Sequence, residues 1–550
     1  MSKCVHPAAD PLSLGPATIR PQPLSRNATL FLVVASLLAS CGSESAPAPS
    51  YPHVLFITLD TTRADHLGVY GNQEVKTPAL DSLGAEGTVF ERCVSAAATT
   101  LASHTSLLTG TYPLSHGVRR NGFFVGEENV LLAEVLSQAG FYCAAFLGSS
   151  ALTHKSDLVQ GFDHYSDDFS LKAEGGKRDQ DQRTAAEVTS ALLEHVDEVL
   201  ARQEREADFP ERLFLMAHYF DPHAPYAPSK ALAQRYGAVR EVGDFAAIET
   251  AVVAQQRRVL GDAQRDFGQQ AVIRDGMTEQ LLREAPGVPT KIGRDLSKLY
   301  AGEVTATDGA IGSLLAGLSS RGILEDTLVV VTADHGETFW EHGNFWNHGL
   351  WVSETDVHVP LIIRFPDGRG AGRRVEMPVS GVDVMPTLLE ALDLQPPTAT
   401  DNPAAGRSVL ASIDGLAQSD RVVFCEATQP GPSLEEPSHE GAGQGAPLGW
   451  GNARKPQAAR LGDWKLVEAP YLDLKQLFHL GRDPAERNDL LQSGALDPAA
   501  RAALAELELA FQRWRASASP KPSTYDVSQT VDLRGLGYGE AGAEEDESRK

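Results

Sequence analysis

The chain alternates short, unbroken apolar runs with longer stretches of helical periodicity. His53-Val-Leu-Phe-Ile-Thr-Leu-Asp60, Leu213-Phe-Leu-Met-Ala-His218, Thr327-Leu-Val-Val-Val-Thr-Ala-Asp334 and Leu361-Ile-Ile-Arg-Phe365 show no polar alternation. That pattern predicts strands buried on both faces. Between them, residues 101–109, 129–139, 182–204, 295–320 and 383–392 space their apolar side chains as helices do. The alternation predicts an α/β fold, with a central mixed, mostly parallel sheet sandwiched by helices. Arg460–Val467 and Lys475–Leu480 predict strands of a small C-terminal α+β subdomain.

The pattern also divides the chain. A catalytic-sized domain is expected over 53–425 and the C-terminal subdomain over 426–519. Residues 229–294 carry a charged, Gln/Arg-rich helical stretch, AQQRRVLGDAQRDFGQQ, which reads as an insert lying on the surface or as a lid. Residues 428–452 are rich in Gly, Pro, Ser and Glu and predict a mobile loop, and the acidic tail 520–550 predicts disorder. At the front, Thr29–Leu38 is a ten-residue apolar run, too short to span a bilayer. Lys3, Arg20 and Arg26 precede it and small residues follow, which is the layout of a secretory signal. It ends Leu38-Ala39-Ser40-Cys41, which resembles the bacterial lipoprotein cleavage box. That resemblance implies a signal peptide over 1–41, lipid on Cys41, and a Ser/Ala/Pro tether over 42–52. The protein is then expected to be exported and lipid-anchored to a bacterial membrane, facing the periplasm or the cell exterior.

Composition narrows the partners. The 48 basic and 73 acidic residues give a net charge of −25, so the chain lacks the basic character of a nucleic-acid binder. Of five cysteines, Cys4 would leave with the signal and Cys41 would carry lipid. The remaining Cys93, Cys143 and Cys425 are odd in number and predict small buried side chains rather than a disulfide framework.

Chemistry gathers at one edge. In a doubly wound sheet, ligands bind beyond the carboxyl ends of the strands. Three of the buried runs end there in metal- or proton-capable residues: Asp60, His218 and the pair Asp334-His335. A single Asp after a strand commonly caps the next turn; three such endings on one edge predict a site. Ala98-Thr-Thr-Leu-Ala-Ser-His-Thr-Ser-Leu-Leu-Thr-Gly110 adds Thr100 just before a helical stretch, where it serves either as a cap or as a group facing an anion held at the helix start.

This last segment resembles the active-site signature of the sulfatases, C-x-P-S-R-x-x-x-L-T-G, with Thr100 where that family has Cys and His104 where it has Arg. Further motifs follow in the family's order. His223-Ala-Pro-Tyr226 is similar to its H-x-P-Y element, His348 stands where many members carry Lys, and Glu354, Gly462-Asp-Trp-Lys465 and Asp483-Pro-Ala-Glu486 match downstream. The resemblance spans about residues 52–515. Two features depart from it. Thr61 replaces a second acidic residue after Asp60, and Ala145–Ala151 lacks the usual Gly-Lys-x-His contacts, for which Arg119 and Asn121 are the available substitutes.

The resemblance implies one divalent metal ion on Asp60, Asp334 and His335, with Thr100 completing the shell. A His ligand favours Mn or Zn over Ca. Threonine cannot become the formylglycine that sulfatase cysteines form. Thr nucleophiles do occupy the equivalent position in related phospho-group transferases and nucleotide pyrophosphatases, which implies nucleophilic chemistry at Thr100. His104, His223 and His348 are then the supporting catalytic residues. The reading that follows is a metal-dependent hydrolase of sulfate or phosphate/phosphonate esters, acting on a sulfated or phosphorylated small molecule or glycan. Two alternatives remain: a phospho-group transferase acting on envelope glycans or lipids, and a non-catalytic module that binds sulfated glycans. Membrane attachment is testable alone. Cys41→Ala should move the protein from the membrane to the soluble fraction, and retention in the membrane would overturn the anchor.

Overall fold

The four apolar runs do become strands, and they lie where water reaches neither face. Among the described residues the main sheet has eight strands: β1 (His53–Leu59), β2 (Thr88–Phe90), β3 (Phe141–Leu147), β4 (His164–Ser166), β5 (Arg212–Tyr219), β6 (Thr327–Ala333), β7 (Leu361–Arg364) and β8 (Arg373–Val375). Their spatial order is β8-β2-β7-β6-β1-β5-β3-β4. β1 is central and parallel to both β5 and β6, while β7 runs against its neighbours β6 and β2. β1, β3 and β6 are buried almost throughout, as their uninterrupted apolar character requires.

Helices cover the sheet: α1 (Pro78–Glu86), α2 (Thr100–Thr109), α3 (Leu132–Gln138), α4 (Ala185–Arg205), α5 (Val288–Ser320) and α6 (Val384–Ala391). The amphipathic α4 buries Val188, Leu192, Val196 and Val199, spaced three and four apart, and a capping box between Thr184 and Glu187 fixes its start. The alternation read from the sequence thus gives the expected α/β sandwich.

The computed structural model describes residues 51–169 apart from 52, 182–238, 288–397 apart from 340, 343–345 and 350, 404–416, 420–427, 455–517 apart from 471, 472 and 495, and 521. The signal-like segment with Cys41, the tether except Tyr51, most of the 229–294 insert, the 428–452 loop and the tail except Lys521 lie outside these residues. Among the described residues, no helix is long and apolar enough to cross a membrane.

A second, antiparallel sheet contains β9 (Val423–Glu426), β10 (Gln457–Leu461), β11 (Trp464–Ala469) and β12 (Leu474–His479), with α7 (Pro498–Ala516) packed on it. Here the sequence expectation needs correction. Arg460–Val467 is not one strand but the turn of a hairpin. Leu461 pairs with Trp464, and Gly462 between them takes the left-handed conformation, φ 54°, that a tight turn requires. The main sheet also holds a strand absent from the expected set. The alanines of β3, Phe-Tyr-Cys-Ala-Ala-Phe-Leu, favour helix locally, but burial between β5 and β4 overrides that preference.

The second sheet is bolted to the first domain at two places. Glu426 of β9 exchanges backbone hydrogen bonds with Ala96 and Ala98. Arg460 and Lys465 grip Glu354 at 2.9 Å each, and Lys465 also meets Glu486 at 2.7 Å. Burial alone would raise the Glu354 carboxyl, but the Lys465 and Arg460 charges outweigh it and hold it at about 2. Removing one member of such a buried cluster leaves its partners uncompensated, so Lys465→Met should destabilise the protein by about 3–5 kcal/mol. A denaturant midpoint unchanged from wild type would contradict that.

Candidate active site

Strand register builds the centre. Leu59 is paired with Ala333, so the residues that follow, Asp60 and Asp334, leave the sheet side by side. Both are fully buried. Asp334 Oδ1 accepts from the backbone N–H groups of Thr61 (3.2 Å) and His335 (2.7 Å). Its Oδ2, and both carboxylate oxygens of Asp60, have no hydrogen-bond partner. Burial raises both carboxyls well above their ordinary range, and for Asp334 the charge of Asp60 adds to it. Buried, unsatisfied carboxylates of this kind call for a cation.

His335 suits the same cation. Its Nδ1–H donates to the Gly336 carbonyl at 3.0 Å, which leaves Nε2 as the lone-pair end. That nitrogen lies 3.5 Å from Asp334 Oδ2 and 3.9 Å from Asp60 Oδ1. Burial drives the imidazole down to about 3, so it is neutral at physiological pH, the form that ligates metal. Ligand atoms of Asp60, Asp334 and His335 all fall within 4.8 Å of one another. The residues therefore fit one divalent ion. Gly336 is needed at the next position, because a Cβ there would sit 2.0 Å from the Thr355 carbonyl. Thr61 also has a structural signature: its φ of 49° is rare for a β-branched residue. It is held there by its own N–H on Asp334 and by the Tyr300 hydroxyl, which donates to its carbonyl at 2.9 Å.

Helix α2 brings Thr100 to this centre. The N-cap falls on Thr99, so Thr100 is the first helical residue and its side chain is not the cap. Thr100 Oγ1 lies 3.5 Å from His335 Nε2. The N–H of Leu101 is taken by Asn121 Oδ1 at 2.8 Å, while Asn121 Nδ2 is buried without a partner and leaves a donor beside the helix start. The Ser95 and Ser103 hydroxyls both donate to the Asp334 carbonyl, the latter at 2.6 Å, and so tie the helix to the strand end.

The remaining imidazoles divide by role. His104 reaches Thr100 through the backbone: its Nδ1–H donates to the Thr100 carbonyl at 2.8 Å, and Nε2 accepts from Thr58 Oγ1 at 3.0 Å. His223 and His348 meet Nε2 to Nε2 at 3.2 Å, with Nδ1 of each directed at a carbonyl, Ala224 and Ala98 respectively. His348 stacks on His335 and is only partly buried, so this pair marks the open side of the site. Burial lowers both, His223 to about 4. Asp65 stays outside, paired with Arg63 and His66. Glu354 belongs to the buried ionic cluster. His218, one residue before the end of β5, lies close to the carboxylates, Nε2 being 3.4 Å from Asp60 Oδ2. The sequence marks it only as an ending and gives it no ligand role.

A family model for sulfatases matches residues 52–394. The chain belongs to the sulfatase family. Members of this family are sulfuric- or phosphoric-ester hydrolases, and the chain is one. It is 27% identical to an ulvan-active sulfatase of Formosa agariphila over 387 residues, covering 67% of this chain and 68% of that one. It is 24% identical to an N-acetylglucosamine-6-O-sulfatase of Bacteroides thetaiotaomicron, covering 68% and 74%. In structure it resembles a phosphonate monoester hydrolase of Agrobacterium radiobacter, with a TM-score of 0.60 and 22% identity over 85% of this chain and 96% of the other. That likeness shows a shared fold.

In this sulfatase-family site two buried carboxylates face each other with three of their four oxygens unpartnered, so their mutual repulsion is uncompensated. Asp334→Asn should therefore raise the melting temperature of the metal-free protein and abolish the stabilisation that Mn²⁺ gives the wild type. Calorimetry with and without Mn²⁺ checks both signs.

Proposed function

We propose that the protein is a metal-dependent hydrolase that cleaves sulfate, phosphate or phosphonate esters with Thr100 as the nucleophile. The observation that carries this reading is Thr100 Oγ1 at 3.5 Å from the lone-pair nitrogen of His335, at the first residue of a helix. Asp60, Asp334 and His335 would hold one divalent ion, Mn or Zn in preference to Ca. Bound there, such an ion lowers the pKa of a nearby hydroxyl and offsets the charge of the ester.

This chain's own groups supply the rest. The start of α2 and the Asn121 amide receive ester oxygens, and these donors act most strongly as negative charge grows. The Thr100 oxygen attacks sulfur or phosphorus in line with the leaving oxygen, forming a covalent ester as the bond to the alcohol breaks. Thr100 gives up its hydroxyl proton as it attacks, and His223 and His348, facing each other, take that proton and hand it to the leaving alkoxide; in the second step the pair takes a proton from the attacking water and returns it to the departing Thr100 oxygen. His104 fixes the backbone from which Thr100 projects. Ulvan-active and N-acetylglucosamine-6-O-sulfatases among the relatives support a sulfated glycan as substrate, while the hydroxyl nucleophile and the His ligand support phosphorus esters equally. The lipoprotein-like box supports action at a bacterial membrane, with the domain outside the cytoplasm and tethered through Cys41.

The decisive experiment assays aryl sulfate, phosphate diester and phosphonate monoester side by side with Mn²⁺ or Zn²⁺. Thr100→Ala should lower kcat on the accepted ester by about 10³-fold or more, the scale of losing a nucleophile. Unchanged turnover in Thr100→Ala, with no metal in the purified protein, would overturn the mechanism. Alcohol transfer in place of hydrolysis, measured with an added acceptor, would favour the transferase reading.

A further inference from the structure

Glu337 lies buried two residues after His335, and the chemistry proposed above gives it no part. Its Oε2 accepts from the Tyr226 hydroxyl at 3.0 Å, while its Oε1 is buried with no hydrogen-bond partner. A carboxyl in that state costs stability that an apolar side chain of similar size would not. Packing alone therefore does not account for it.

What Glu337 does is join loops. Three strand ends supply the centre: residues 60–63 after β1, 220–226 after β5 and 334–337 after β6. The first reaches Glu337 through Arg63, whose Nη1–H donates to the Glu337 carbonyl at 3.1 Å. The second reaches it through the Tyr226 hydroxyl, and the third contains it. Tyr226 closes the loop that carries His223. That loop is pinned at its start by the His223 N–H on the Phe220 carbonyl at 2.8 Å, and just past its end by the Ala227 N–H on Glu303 of α5. The rings of Tyr226, Tyr300 and Phe339 pack on one another beside the junction, with centroids 5.8, 5.8 and 4.9 Å apart.

We propose that Glu337 is a positioning residue: through the Tyr226 hydroxyl it sets the His223 loop against the turn that bears His335, so that the imidazole meets the leaving oxygen. The inference rests on the reading of His223 as a carrier of the leaving-group proton. Help from a proton donor matters more as the departing alkoxide becomes more basic. A displaced His223 is thus felt on a poor leaving group and hardly on a good one, whereas a general loss of packing slows both alike.

The test measures kcat and KM of the full chain on the para-nitrophenyl and unsubstituted phenyl esters of phenylphosphonic or sulfuric acid, whichever acid the wild type accepts. Tyr226→Phe keeps the ring and removes the hydroxyl. It should lower kcat on the phenyl ester by about 10-fold or more, within the range of a lost general acid, with a much smaller loss on the nitrophenyl ester and KM little changed. Glu337→Gln keeps an oxygen for the Tyr226 hydroxyl and should retain wild-type selectivity between the two esters. Glu337→Leu should match Tyr226→Phe, and the double variant should be no worse than either, as for two groups acting through one bond. If Glu337→Leu fails to fold, the Tyr226→Phe and Glu337→Gln pair still decides the matter. His223→Ala separates the two levels of the argument. A selective loss in His223→Ala together with an equal loss on both esters, or none, in Tyr226→Phe overturns the positioning role alone. No selective loss in His223→Ala, or a wild type that cleaves neither ester, overturns the leaving-group role of His223 and this inference with it.

Discussion

Because Leu59 and Ala333 are paired across the central strands, the carboxylates that follow them enter the interior together, and water reaches neither. Everything near them answers to that arrangement. The Thr61 and His335 amides donate to one Asp334 oxygen, and the Ser95 and Ser103 hydroxyls fix its carbonyl. The imidazole of His335 turns its lone pair inward. Two like charges in a dry interior are unfavourable alone, and the groups around them are of the kind that would accept a cation.

The surroundings are correspondingly stiff. Thr61 takes a backbone conformation that its side chain disfavours, held by Asp334 and Tyr300, and Gly336 lies so close to the Thr355 carbonyl that no side chain fits. Rigidity of this kind places reacting groups within tenths of an ångström and spares them reorganisation during the reaction. Among the described residues near the centre, His348 is one that is partly exposed.

Much of this was legible in the residues. Apolar runs with no polar alternation located four strands, because burial on both faces leaves a plain compositional mark. Their endings located Asp60, His218, Asp334 and His335, since a parallel sheet collects its strand ends at one edge. What was not legible depended on geometry that no local pattern encodes. That His104 serves the Thr100 carbonyl rather than its hydroxyl follows from the helical spacing of the two residues combined with the position of Thr58 on a neighbouring strand. The N-cap shifted by one residue, to Thr99, because boundaries depend on backbone angles rather than on residue type. β3 was hidden by its alanines, and the Gly462 turn by the apolar residues on either side of it.

The family model for sulfatases matches as far as residue 394, yet two supports of the site lie beyond that match. Glu426 extends the backbone pairing of Ala96 and Ala98, the stretch that delivers Thr100, and Arg460 with Lys465 anchors Glu354, six residues after His348. The helical turn that Glu354 opens in turn receives the Gly336 N–H on its Asp356 carbonyl. The second sheet is therefore not an accessory that can be gained or lost independently. It is the far abutment of an arch whose crown is the active site, and the two parts must be inherited as one piece.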